Sequence, residues 1–149
     1  MRALLACLTL GAALISLADE ADAQATELDR SLEQLVTDYT RLYTRETFGE
    51  WRALFLPTFT STSTTADGGT SVRSLEAFLG AQERGFRESQ RMGERLEKVR
   101  IDRRGRIAMV AADFEYWNND TTRRGTLVLA AVHVREGWRF QSLVFSYPD

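Results

Sequence analysis

Residues 126–147 read TLVLAAVHVREGWRFQSLVFSY, and residues 107–117 read IAMVAADFEYW. Side chains in both stretches follow a period of two, the pattern of strands that bury one face. Within the longer stretch, Glu136-Gly137 reads as a two-residue hairpin loop, a connection that sets register tightly. If Arg135 pairs with Trp138, His133 opposes Phe140, Val132 opposes Gln141 and Ala130 opposes Leu143. Four strands are predicted, Leu96–Asp102, Ile107–Trp117, Thr126–Arg135 and Trp138–Tyr147, with turns at Arg103–Gly105 and Asn118–Asp120. Such short connections make the sheet antiparallel. Alternation gives it two faces. One carries Ala108, Val110, Ala112, Phe114, Tyr116, Val128, Ala130, Val132, Val134, Gln141, Leu143, Phe145 and Tyr147, and is predicted to pack on helices. The other mixes Met109, Trp117, Leu129, Trp138, Phe140 and Val144 with Asp113, Glu115 and His133.

Upstream of the sheet the period is that of helices. Leu28, Leu32, Leu35, Val36, Tyr39, Leu42 and Tyr43 recur every three or four residues, an amphipathic stripe of about five turns. Phe48, Trp51, Leu54 and Phe55 continue a shorter helix that Pro57 ends. Thr58–Thr65 reads as a hydroxyl-rich strand or extended loop, and Asp67-Gly68-Gly69 as a turn. Ser71 or Ser74 can cap a third helix with a stripe of Val72, Leu75, Phe78, Leu79 and Phe86. Three helices followed by a sheet make an α+β chain.

Composition narrows the chemistry. The 149 residues are 44% hydrophobic and 27% charged, a globular balance that fits one domain. With 19 basic and 21 acidic residues there is no basic excess, so no nucleic-acid partner is expected. One Cys and one His leave neither a disulfide framework nor a zinc site, and no metal or cofactor is expected.

Residues 1–25 read as a secretory signal peptide. Arg2 precedes an uncharged run, Ala3–Ala18, and small residues follow at Ala21, Ala23 and Ala25. Cleavage after Ala23 or Ala25 would export the domain 26–149, periplasmic or secreted, with no thiol and no membrane association. The apolar run is too short to favour a retained anchor.

The order of elements resembles the SnoaL-like, nuclear-transport-factor-2-like superfamily, related in fold to ketosteroid isomerase. The residues that carry the resemblance are Tyr39-x-x-Leu42-Tyr43, Trp51-x-x-Leu54-Phe55, Asp67-Gly68-Gly69 and Glu136-Gly137-Trp138-Arg139-Phe140. The resemblance implies a cone: a curved, mostly antiparallel sheet wrapped around three N-terminal helices, with a central pocket. In the isomerase branch a carboxylate base and a second carboxylic acid flank a helix tyrosine. Tyr39 matches that tyrosine, but the acid positions fall near Thr62 or Ser63 and near Ala130. The inward positions that hold the acid and arginine of the epoxide-hydrolase branch fall on Ala112, Phe114 and Phe145.

The predicted pocket lining is therefore Tyr39, Tyr43, Phe59, Tyr116, Gln141, Phe145 and Tyr147, suited to a small apolar or aromatic molecule held without catalysis. Tyr39 and Asp113 are the catalytic candidates if an isomerase, cyclase or dehydratase reaction occurs there. Asp113 takes that role only if a bulge turns it inward. The apolar groups on the mixed face predict a homodimer through the outside of the sheet.

Overall fold

A computed structural model describes the backbone of residues 6–65 and 67–148, and side chains from residue 20 onward except residue 21. The predicted leader falls largely outside the described side chains. Two compact units make up the chain, 1–33 and 34–149. The first, where described, is helical: α1 spans Ala6–Arg41, longer than the stripe alone predicts. Its first turns are rich in Ala and Leu, residues of high helix propensity.

The second unit contains the last turns of α1, then α2 (Phe48–Arg52), β1 (Phe55–Thr64), β2 (Thr70–Ser74), α3 (Leu75–Glu88), β3 (Met92–Arg104), β4 (Ile107–Asn118), β5 (Thr121–Val134) and β6 (Gly137–Ser146). One six-stranded sheet results, in the order β2-β1-β6-β5-β4-β3. Only β1 and β6 run parallel; the other neighbours are antiparallel. The chain is α+β, as predicted. Pro57 lies inside β1 rather than after a helix, where the ladder to β6 skips from the pair Phe55–Phe140 to Thr60–Ser142. A proline costs no ladder hydrogen bond at such an irregularity. Ser74 caps α3, its side chain accepting from the Ala77 amide at 3.3 Å. Val72 belongs to exposed β2, not to the stripe of α3.

The structure corrects the predicted faces of β5 and β6. The β5–β6 hairpin pairs His133 with Trp138 and Val134 with Gly137, so its loop is Arg135-Glu136. Gly137, at a φ of 106°, takes the first position of β6. The observed pairing is two residues from the predicted one of His133 with Phe140, a shift that keeps the faces of β5 and β6 matched. The reversal comes from the β4–β5 turn, which is Asn119-Asp120, one residue shorter than predicted, so that Ala112 pairs with Leu127 and Val110 with Leu129. A one-residue slip reverses every side chain. Leu127, Leu129 and Ala131 are therefore buried in place of Val128, Ala130 and Val132. On β6, Ala131 pairs with Phe140 and Ala130 with Ser142, which leaves Gln141 as the extra residue of a bulge. The bulge resets the alternation, so Trp138, Phe140 and Leu143 all face the core.

At the centre is an aromatic cluster. Tyr39, on the last turns of α1, meets Trp51, Phe55 and Phe140 at ring-centroid distances of 5.9, 6.4 and 5.5 Å. The Trp51 indole donates to the Tyr39 carbonyl at 2.7 Å, which fixes α2 against α1. Outside the sheet, the predicted patch loses Leu129 and Phe140 to the core, while Ile107, Met109 and Val144 stay exposed.

Candidate functional site

A cavity of about 530 Å³ opens between the sheet and α3. Its lining includes Tyr39, Tyr43, Glu94, Tyr116, Phe145 and Tyr147. Strand β3 begins at Met92, four residues before the predicted start, and this extension carries Glu94 onto the inner face opposite Tyr116.

Glu94 is only partly buried as a residue, yet its carboxyl group is out of solvent and its Oε1 has no hydrogen-bond partner. Buried polar atoms are normally paired, and an unpaired one calls for an explanation. Burial pushes this carboxyl up to about 7, and a hydrogen bond from the Tyr39 hydroxyl offsets part of the rise. The same burial, with the nearby Glu94 charge, raises Tyr39 and Tyr43 well above the usual phenol range. At neutral pH both are therefore protonated donors. The Tyr43 hydroxyl is spent on Gln82 Oε1 of α3. Tyr116 accepts from Asn118 Nδ2 at 3.4 Å, and Asn118 Oδ1 accepts from Ser89 Oγ at 2.7 Å. Burial also raises Tyr147, against the lowering effect of Arg123.

Of the residues predicted for the pocket, Tyr39, Tyr43, Tyr116, Phe145 and Tyr147 line the cavity. Phe59 and Gln141 do not. Phe59 is fully buried in the aromatic cluster, 4.7 Å from Phe55 and 5.3 Å from Phe78 between centroids. Gln141 is the bulge residue, and its amide meets Thr58 Oγ1 at 3.3 Å and the Thr58 carbonyl at 3.4 Å. Asp113 stays on the outer face, its Oδ2 2.7 Å from Lys98 Nζ, so it cannot serve pocket chemistry. Glu115 shares that face and binds Arg124 at 2.7 Å and Arg95 at 3.2 Å. Sequence reasoning missed Glu94. The usable signal was its parity with Met92 and Leu96.

Among the described residues, no group of three or more His, Cys, Asp and Glu side chains could hold a metal ion. No described helix is long and apolar enough to cross a membrane.

Comparison with known proteins places this geometry in a family. The SnoaL-like domain model matches residues 32–149, and the chain belongs to that family. An NTF2-like protein with a cystatin-like fold from Novosphingobium aromaticivorans superposes with a TM-score of 0.67 at 13% identity, covering 87% of this chain and 88% of its own. A candidate scytalone dehydratase from the same organism gives 0.66 at 18% identity, over 87% and 89% of the two chains. A candidate dehydratase of the NTF2-like family from Streptomyces avermitilis gives 0.67 at 12% identity, over 85% and 99%. At these identities the likeness establishes the shared NTF2-like fold. No curated protein matches the sequence.

Proposed function

We propose that this SnoaL-like domain catalyses proton transfer on a small organic molecule, as an isomerase or dehydratase, with Glu94 as the general acid–base. The observation that carries the reading is the carboxyl of Glu94, out of solvent at the cavity wall, with Oε1 unpartnered and Tyr39 as its hydrogen-bond donor. A carboxyl held near neutrality takes and returns a proton at similar ease, which is what general acid–base catalysis needs. As carboxylate, Glu94 removes a proton from carbon; as the resulting acid, it returns that proton to another carbon or to a departing hydroxyl. The Tyr39 phenol stays protonated and steadies the carboxylate before it takes the proton and again once the proton has been returned. Dehydratase-labelled neighbours of the same fold support the reaction class. Binding without turnover, the sequence-based expectation, rested on a pocket without a carboxylate, and Glu94 removes that ground.

Deuterium exchange at carbon tests the reading. Cyclic and aryl ketones incubated with the protein in D2O should lose their α-proton NMR signals faster than in buffer. Glu94→Gln should abolish the acceleration and Glu94→Asp should retain part of it. Acceleration that survives in Glu94→Gln would remove the carboxyl from the mechanism. Export belongs to the same proposal and has its own check: the intact mass of the exported protein should correspond to a mature N-terminus at Gln24 or Thr26.

A further inference from the structure

We propose that the cavity selects a molecule bearing a carboxylate, and that Arg123 holds that carboxylate while stacked on Tyr147. The inference builds on the pocket as the reactive site but not on the step that Glu94 performs.

Register is the first argument. Glu94 pairs with Tyr116, and Tyr116 pairs with Arg123, so the three sit side by side on β3, β4 and β5. All three line the cavity. Neighbouring strands lie about 4.8 Å apart, which puts Arg123 roughly 10 Å from Glu94 at the backbone. A single ring fills the remaining gap once both side chains reach toward it.

The second argument is how the arginines are used. Arg124, one residue along and on the other face, is spent on Glu115 at 2.7 Å. Arg95 is divided between Glu97 and Glu115, at 3.1 and 3.2 Å. Arg45 donates to the carbonyls of Phe86 and Ser89. Arg123 instead lies over the Tyr147 ring, 3.7 Å from guanidinium carbon to centroid. Stacking fixes the plane of the guanidinium and leaves its edge free to take a carboxylate by two parallel hydrogen bonds. Arg73 and Arg84 also line the cavity, against Glu88 and Glu94, so the charge there favours an anion.

Three pairs of acid and matched amide serve as probes: benzoate and benzamide, cinnamate and cinnamamide, 2-naphthoate and 2-naphthamide. Titration calorimetry on the purified chain should show at least one acid binding about tenfold or more tightly than its amide, the scale of a charge-assisted bidentate contact. Arg123→Met keeps the apolar stem on Tyr147 and should erase that preference while leaving the amide within about twofold, since only the charge is removed. Arg123→Lys should restore a fraction of it. Equal affinity for acid and amide in every pair, a preference that survives Arg123→Met, or no binding by any probe up to millimolar concentration would overturn the proposal. Glu94→Gln separates the two readings. If it abolishes exchange at carbon yet retains the acid preference, both stand. If wild type catalyses no exchange but still prefers the acid, this proposal stands and the proton-transfer reading falls.

Discussion

Glu94 concentrates the chemistry of the molecule into one carboxyl, and its burial has a thermodynamic signature. Its ordinary value of 4.5 rises to about 7 in the folded chain. The folded state therefore holds the proton more tightly than the unfolded state. The group favours folding most below pH 4.5, and that advantage is lost as pH rises to about 7. Above 7 both states are ionised and the slope vanishes. The size is about 3 kcal/mol, from the pKa difference and 1.36 kcal/mol per unit. Urea denaturation of Glu94→Gln should show a flatter profile from pH 5 to 8 and greater stability than wild type at pH 8. Parallel profiles would place the carboxyl in solvent. Tyr39→Phe removes a donor that favours the charged form, so the wild-type inflection should move to higher pH in that variant. This residue was the hardest to read from sequence. It sits among nine basic residues between Arg84 and Arg106, where a carboxylate reads as part of a solvated surface. Parity with Met92 and Leu96 points it inward, but only once the strand is known to start at Met92.

Among the elements, β4 was legible to the residue: Ala108, Val110, Ala112 and Phe114 face the core as their alternation predicts. Strands β5 and β6 were legible as strands but not as faces. A β4–β5 turn one residue shorter than predicted and one extra residue at Gln141 each invert a parity, and neither changes the hydrophobic pattern enough to betray itself. The consequence for mutation is sharp. Phe140→Asp, expected from alternation alone to sit on the outer face, should abolish folding, because it puts an unpaired charge in a fully buried site. Leu143→Ala should cost about 2–5 kcal/mol, as buried leucines do. Val144→Asp, next to Leu143 but on the exposed side, should stay within about 0.5 kcal/mol of wild type. Denaturant titration of the three variants checks the faces directly. Gly125 offers a further check. A Cβ there would meet the Ser146 carbonyl and come within 2.7 Å of the Phe114 ring. Gly125→Ala should cost about 1–3 kcal/mol by overpacking, and it should disturb the wall beside Tyr147.

For the whole molecule, helices followed by a sheet were enough to reach the fold class, whereas the place of β1 in the sheet was not legible, because no local pattern encodes a parallel pairing between distant segments. That pairing has a kinetic consequence. Strand β1 (Phe55–Thr64) lies beside β6 (Gly137–Ser146), with β2, α3, β3, β4 and β5 between them in sequence. Contacts this distant form slowly, after local hairpins. Strands β3 to β6 follow one another as neighbours and can assemble by zipping, while β1 waits with one edge open. Pulse-labelling hydrogen exchange during refolding should therefore protect Leu127 and Val110 before Ser61 and Ser63; simultaneous protection would contradict this order. An open edge is a template for aggregation when it is apolar. The segment that waits is Thr58-Phe59-Thr60-Ser61-Thr62-Ser63-Thr64, with one aromatic in a run of hydroxyls. The run resembles no nucleophile motif, and apart from Phe59 it contributes little apolar surface to the core. Its hydroxyls keep the strand hydrated during the delay, so the composition of β1 safeguards the chain on its way to the native state.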